Sequence, residues 1–306
     1  MGANLDPLFA DAALLDQAER VCRMRLAKDP GNPATQRSLA QLCRKQGALQ
    51  EAADLCARLA RRDPDDRNAS YLHAIFSGSA LPPAAEGPIA APFVLLKHVL
   101  PPEVHQSLLP LVVGARDELA PAQVNAGEYK PGSRESLDLP NPLRWPVMKR
   151  FHGMLRKLLP TLLPRLNVPA FEAGNLEFKI RVYRDGHFFR THQDASQNAA
   201  DVVSHRKVSY VYFFHQVPRP FTGGDLLLFD TDVRADSYET ASFTRVTPED
   251  NAMVVFPSQY YHCVVPLKCR GDELTDSRFV VNGHLSERVD APVAKSPDET
   301  VHSSHG

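Results

Sequence analysis

Apolar positions follow two periods along the chain. Up to about residue 80 they recur at helical spacing and the pattern repeats: Ala18 and Ala52, Cys22 and Cys56, and the pairs Asp29-Pro30 and Asp63-Pro64 each stand 34 residues apart. From Ser77 to Pro92 the sequence SGSALPPAAEGPIAAP has no period of either kind, and its Pro, Gly and Ala content predicts a linker. Beyond it, Phe93-Val-Leu-Leu opens a strand, and Val104, Leu108, Leu109 and Val112 form one stripe of a helix over 102–119 that Pro110 should kink or divide. A second helix starts at Lys149-Arg150 and carries Phe151, Met154, Leu155, Leu158 and Leu159 to Pro160. Strand patterns then dominate: Ile180, Val182 and Phe188 between polar positions, the β-branched and aromatic run Lys207 to Phe214, Pro218 to Asp230 around Gly223-Gly224, the stretch 250–257, and Ser277 to Leu285. Short strands separated by Gly/Pro turns build an antiparallel double sheet. Gly223-Gly224 precedes no helix start, so these glycines serve a sharp bend and not a phosphate cradle.

The 34-residue period resembles that of tetratricopeptide helix pairs. The copy from Pro33 to Pro64 has Leu39 and Ala40 in its first helix, Gly47 at the turn, and Ala52 and Cys56 in its second. One complete repeat flanked by partial ones is expected, and so short an array buries its apolar face only by packing on the following domain or on another chain. The predicted organisation is helical repeats over 1–80, a linker over 81–92, a β-rich domain over 93–288, and a polar, disordered tail over 289–306 that holds His302 and His305.

Composition narrows the function classes. A 306-residue chain with 43% hydrophobic and 23% charged residues is an ordinary globular protein, and a net charge of -1 gives no broad grip on nucleic acid or anionic lipid. The N-terminus lacks a cationic start leading into an apolar run, and no stretch approaches about eighteen apolar residues, so no membrane association and a cytoplasmic location are expected. Five cysteines include no CxxC pair and suggest no disulfide framework; Cys22 and Cys56 read as small core residues of helices, and Cys263 as a strand residue.

Candidate chemistry centres on His192-Gln193-Asp194. In an extended chain residues i and i+2 project to the same side, so an imidazole and a carboxylate spaced this way can grip one ion. A non-haem Fe(II) site needs two His and one carboxylate on one octahedral face. His262, which opens a strand 68 residues after Asp194, is the candidate third ligand, brought in from a strand on the opposite side of a barrel. Arg278 lies on an alternating strand, where its guanidinium can clamp a dicarboxylate, with Asn282 on the same face. Among the other histidines, His187 is placed in a strand at the wrong parity, His205 and His215 flank one, and His284 shares the parity of Arg278 as an outer partner of the site.

From about Pro92 to Leu285 the ordered set Tyr183, Gly186, His192-x-Asp194, Thr222-Gly-Gly-Asp-Leu226, Pro248, Asn251, Val255-Phe-Pro-Ser258, His262-x-Val-x-Pro266 and Arg278 resembles 2-oxoglutarate/Fe(II)-dependent dioxygenases of the prolyl-hydroxylase-like branch. The resemblance implies an α+β architecture: a double-stranded β-helix (jelly-roll) dioxygenase domain preceded by a helical tetratricopeptide-like domain. It implies Fe(II) on His192, Asp194 and His262, with 2-oxoglutarate as cosubstrate, O2 as oxidant and room for ascorbate. The far carboxylate of 2-oxoglutarate would meet Arg278, with Tyr183 and Asn282 as hydrogen-bond partners. Hydroxylation of an unactivated C–H bond, with release of succinate and CO2, follows; Asp194 argues against a halogenase, whose site lacks that carboxylate. The substrate implied is a prolyl or other residue of a peptide or protein received by the repeats, the alternatives being a free amino acid, a natural product, or a repeat-based interaction protein with a vestigial barrel. Residues 121–145, with Arg134 and Ser136, correspond to a stretch near the cavity mouth. Arg278 follows His262 by sixteen residues, more than in the resembling family, which makes Arg270 the rival cation and predicts an enlarged hairpin loop over 268–276.

Overall fold

The computed structural model describes residues 12–82, 86–122, 132–198 and 200–289. Four helices come first: α1 (Ala12–Lys28), α2 (Pro33–Gln46), α3 (Leu49–Arg62) and α4 (Arg67–Ser77). Their ends are written in the sequence. Asn32 caps α2 by accepting from the Thr35 amide at 2.9 Å, Pro33 occupies the first turn, and Gly47 at φ 81 closes the helix in the left-handed region. Asp66 caps α4 through the Ala69 amide at 3.0 Å, and Gly78 closes it at φ 70. The helix pair α2/α3 is the complete repeat, and α1 and α4 are its partial neighbours.

The array completes its core on the β domain. Ala40, Cys43, Ala52, Leu55, Cys56, Tyr71 and Ile75 belong to one buried cluster that continues through Phe93, Val254, Phe256 and Tyr260. Phe76 of α4 meets Phe93 edge-on at 6.1 Å between ring centroids. Arg44, only 1% exposed, reaches across the boundary to the Asp230 carboxylate and donates to the Phe243 carbonyl at 3.1 Å. In the other direction Arg245 donates to the Lys45 carbonyl at 2.7 Å and pairs with Asp225 at 2.7 Å. Removing one partner of a buried pair strands the other. Arg44→Ala should therefore cost about 3–5 kcal/mol in urea unfolding; a loss under about 1 kcal/mol, the size of a surface pair, would show that solvent screens the contact.

Among the described residues the strands are β1 (Val94–Lys97), β2 (Ala120–Pro121), β3 (Leu137–Leu139), β4 (Ala173–Leu176), β5 (Lys179–Tyr183), β6 (Phe189–His192), β7 (Arg206–Phe214), β8 (Phe221–Gly223), β9 (Leu226–Asp232), β10 (Ser237–Val246), β11 (Ala252–Pro257), β12 (His262–Val264), β13 (Leu267–Cys269) and β14 (Arg278–Glu287). All pair antiparallel. The larger sheet runs β1-β11-β7-β14-β5-β3-β2, with β4 also on β14; the smaller runs β10-β9-β12-β6, and β13 pairs β8. Alternation sorts the residues of β14: Phe279, Val281 and Leu285 enter a second core, while Arg278, Val280, Asn282 and His284 line a cavity. That second core is completed by Met148, Phe151 and Leu155 of a support helix, α7 (Pro146–Leu158), which follows α5 (Pro102–Gln106) and α6 (Leu108–Gly114).

Two local expectations change. The helix over 102–119 divides at Ser107, three residues before Pro110, because the proline ring cannot pack against the carbonyl of residue 106; Pro110 then lies in the first turn of α6, where its missing N–H costs nothing. In the segment read as a linker, Ile89 exchanges two backbone hydrogen bonds with Thr231, at 3.1 and 2.9 Å, and Ala90 and Ala91 are buried. Residues 83–85, the stretch 123–131 and the tail beyond 289 lie outside the described residues. Among those described, no helix is long and apolar enough to cross a membrane.

Candidate metal centre and cosubstrate cavity

His262 and His192 face each other in register on β12 and β6, which are neighbours in the smaller sheet. The sequence had suggested strands on opposite sides of a barrel; instead β12 inserts between β9 and β6, so the candidate third ligand arrives by direct strand pairing. Asp194 lies two residues past the end of β6, where its amide and that of Ala195 donate to the Ser258 carbonyl at 3.0 and 3.1 Å. Its two carboxylate oxygens stand 3.4 Å from His192 Nε2 and 3.3 Å from His262 Nε2. The three candidate ligand atoms lie within 4.8 Å of one another.

Backbone carbonyls set the tautomers. His192 Nδ1 is 2.8 Å from the Arg190 carbonyl and His262 Nδ1 is 3.0 Å from the Tyr260 carbonyl. A carbonyl only accepts, so each Nδ1 carries a proton, which leaves Nε2 on the Asp194 side as the nitrogen available to a metal. Burial opposes charge on Asp194, yet His284, His262 and the hydrogen bonds from His192 and His262 hold its carboxyl well below the usual range. Burial, reinforced by His262, pushes His192 down and keeps it neutral; at His262 the same burial is outweighed by Asp194, which raises it. Two imidazole Nε2 atoms and an ionised carboxylate converging on one point are the donor set an Fe(II) facial triad requires.

Outer partners complete the support. Ser209 Oγ donates to Asp194 at 2.7 Å and sits 2.9 Å from Ser258 Oγ and 3.1 Å from His284 Nδ1. Burial pulls His284 down to about 4, so it stays neutral. Ser209 and Ser258 escape a reading of the sequence alone, although Ser209 is a polar residue at inward parity in the otherwise apolar run of β7. His187, assigned there to a strand, lies in the turn between β5 and β6, because its amide closes back on the Arg184 carbonyl at 3.0 Å. His205 and His215 flank β7.

At the cavity's other end Arg278 is 1% exposed, its guanidinium carbon 4.8 Å from the Tyr183 ring centroid and 5.1 Å from that of Phe213. Among the described residues none of its three nitrogens has a hydrogen-bond partner. Burial pulls its pKa down to about 10, so it remains a cation at neutral pH. Asn282 Oδ1 is likewise buried without a partner. Tyr183, Arg278 and Asn282 line one cavity with His192, Asp194 and His262. Gly224, at φ 66, makes room: a Cβ there would stand 2.8 Å from Arg278 Cδ. Arg270 is exposed, and its amide donates to the Pro220 carbonyl at 2.9 Å, outside this cavity. The long connection between His262 and Arg278 folds back on the β5–β6 turn, with Arg184 donating to the Asp272 carbonyl at 2.6 Å and the Cys269 amide to Asp185 at 2.8 Å, and so leaves Arg278 in register opposite Tyr183.

Two further cations stand near the candidate ligands. Arg181 lines the cavity and donates to Asp138 at 2.9 Å. Arg134, buried like Ser136, lies 4.9 Å over the Phe189 ring, which stacks on His192 at 3.6 Å.

Residues 178–286 match the 2OG-Fe(II) oxygenase superfamily, and residues 11–75 match the tetratricopeptide repeat. The chain carries a 2OG-Fe(II) oxygenase domain. An uncharacterized PKHD-type hydroxylase of Synechocystis sp. is 29% identical over 197 residues, which cover 63% of this chain and 63% of that protein. A Pseudomonas putida prolyl-4-hydroxylase is 20% identical with a TM-score of 0.49, over 65% of this chain and 94% of its own. A Trichoplax adhaerens prolyl hydroxylase, solved with a hypoxia inducible factor oxygen degradation domain peptide fragment, is 11% identical with a TM-score of 0.48, over 92% and 96%. The matched oxygenase domain contains both ends of the cavity, from Tyr183 and the His-Asp-His cluster to Arg278 and Asn282.

Proposed function

We propose that this chain is a 2-oxoglutarate- and Fe(II)-dependent dioxygenase that hydroxylates an unactivated C–H bond of a prolyl or other residue in a peptide or protein. The observation that carries this reading is the cavity: a buried guanidinium with no hydrogen-bond partner among the described residues at one end and three convergent donor atoms at the other. An unpaired buried cation is costly, and a ligand carboxylate removes that cost. His192, Asp194 and His262 would hold the metal, and Arg278 the far carboxylate of 2-oxoglutarate, with Tyr183 and Asn282 beside it. When bound, iron and 2-oxoglutarate supply oxidative decarboxylation to succinate and CO2 and the delivery of one oxygen atom to a C–H bond. The chain's own part is to keep Asp194 ionised, to aim both Nε2 atoms at the metal position by tying each Nδ1 to a backbone carbonyl, and to exclude water with Leu226, Phe256 and Val264.

A polypeptide substrate is supported by the tetratricopeptide match, and hydroxylation by the name of the Synechocystis relative. The test is succinate formation from 2-oxoglutarate with Fe(II) in air, stopped by a chelator and restored by iron, followed by mass spectrometry of peptides for a gain of one oxygen atom. No succinate under any condition would overturn the enzyme reading. Oxygen gained by free amino acids but by no peptide would overturn only the substrate class.

A further inference from the structure

The cavity holds a second buried guanidinium that the chemistry above does not use. Arg181, 7% exposed, stands two residues before Tyr183 on β5 and lines the same cavity. Through Nε it donates to Asp138, its partner in register on β3, and this is the one hydrogen bond its side chain makes among the described residues. Both terminal nitrogens are left for another acceptor. Ser136 and Arg134, two and four residues before Asp138, have the parity of Asp138 and are 5% and 4% exposed. The Ser136 hydroxyl is buried with no hydrogen-bond partner among the described residues. Burial, and after it the charge of Arg181, pulls Arg134 below the usual guanidinium range, as two cations held close together out of water require.

Guanidinium nitrogens only donate, so whatever meets the free edge of Arg181 must accept. An ionised acceptor is favoured over a neutral carbonyl here, because it also offsets the repulsion between Arg181 and Arg134. A planar fork beside a hydroxyl donor suits a carboxylate. We propose that Arg181 and Ser136 determine specificity by receiving a carboxylate of the substrate, so that the residue to be hydroxylated stands beside an acidic side chain or at a free C-terminus. This rests on the reading of the chain as a peptide hydroxylase, and it places the substrate's anion on the β3–β5 wall, apart from the cosubstrate cation Arg278.

The test uses the full chain loaded with Mn(II) and 2-oxoglutarate, and pools of short random peptides whose retained members are weighed by mass spectrometry. One pool has acidic side chains and an amidated C-terminus, another has Asn and Gln in their place with a free C-terminus, and a last pool has neither. One of the first two should bind about 10–100-fold more tightly than the last, the scale of a charged hydrogen-bonded contact, and which of them does so names the source of the carboxylate. Arg181→Gln should remove that preference, and Arg181→Lys should keep part of it. The side chain of Asp138 is 28% exposed and can turn to water in these variants. Ser136→Ala, which deletes a hydroxyl without a described partner, should reduce the preference about two- to tenfold, and it carries the test if the Arg181 variants do not fold. Arg270→Gln, outside the cavity, should leave the preference intact. Calorimetric affinity for 2-oxoglutarate should stay within about threefold of the parent in Arg181→Gln, less than the loss of one charged hydrogen bond. Equal binding of all pools by the parent, an undiminished preference in Arg181→Gln, or a loss of 2-oxoglutarate affinity as large as the loss of peptide affinity would each overturn the proposal. If no pool binds, it falls together with the peptide substrate, while succinate formation still decides the enzyme reading separately.

Discussion

Asp194→Ala is expected to abolish detectable divalent-metal binding and succinate formation while the chain stays folded. Asp194 supplies the negative charge of the cluster, facing an imidazole nitrogen from each of two strands at 3.4 and 3.3 Å. Without it, two neutral nitrogens remain, and the loss should exceed the roughly 100-fold seen when only an outer partner is removed. Ser209→Ala, which deletes the 2.7 Å hydrogen bond to that carboxylate, should stay inside the 10–100-fold range. The fold should survive Asp194→Ala because what is stranded is a hydroxyl and neutral imidazoles, at about 1–3 kcal/mol per unsatisfied group. Mn(II) titration followed by thermal unfolding checks both halves. An Asp194→Ala chain that binds Mn(II) like the parent would remove the carboxylate from the site.

The strands of this site were legible because their period is two. On β14 the alternation of Phe279 and Val281 with Arg278 and Val280 assigns faces before any contact is known, and the structure puts the first pair in a core and the second in the cavity. The Cys22/Cys56 spacing likewise gave the repeat, because neighbouring copies bury the same position. Strand order was not legible. That His262 pairs with His192 depends on β12 entering between β9 and β6, a contact between distant segments that no local pattern encodes.

Polar residues with buried roles were hidden for a related reason. In sequence Arg44 looks like any solvated cation of α2, yet it is 1% exposed and paired with Asp230, since the face it occupies meets the β domain and not water. The linker composition of 81–92 gave no sign that Ile89 would pair with Thr231 or that Ala90 and Ala91 would be buried, because small apolar residues in irregular chain serve equally well in solvent and against a sheet. The shared cluster from Cys56 to Phe256 accordingly argues against treating the repeats as a detachable recruiter: cutting near Ala90 would expose the face on which Tyr71 and Ile75 pack.

Arg278→Ala should weaken 2-oxoglutarate binding by about thirtyfold to several-thousandfold, the equivalent of roughly 2–5 kcal/mol for one partner of a buried, hydrogen-bonded charge pair. The magnitude belongs to the upper class of charge contacts because the guanidinium is 1% exposed, stacked between Tyr183 and Phe213, and has no hydrogen-bond partner among the described residues. Among the described residues no carboxylate forms an ion pair with its fork, and desolvation leaves the pKa at about 10, so the charge is present throughout the neutral range. Arg278→Lys should recover part of the loss, because the charge remains while the planar fork does not. Arg270→Ala provides the contrast: its side chain is exposed and outside the cavity, so the effect should stay within the roughly 0–1 kcal/mol of a surface charge, less than about fivefold in affinity. Calorimetric titration of 2-oxoglutarate into the metal-loaded variants decides between them. A large loss for Arg270→Ala with little for Arg278→Ala would move the cosubstrate to the loop, and the buried cation opposite Tyr183 would then need another anion to meet it.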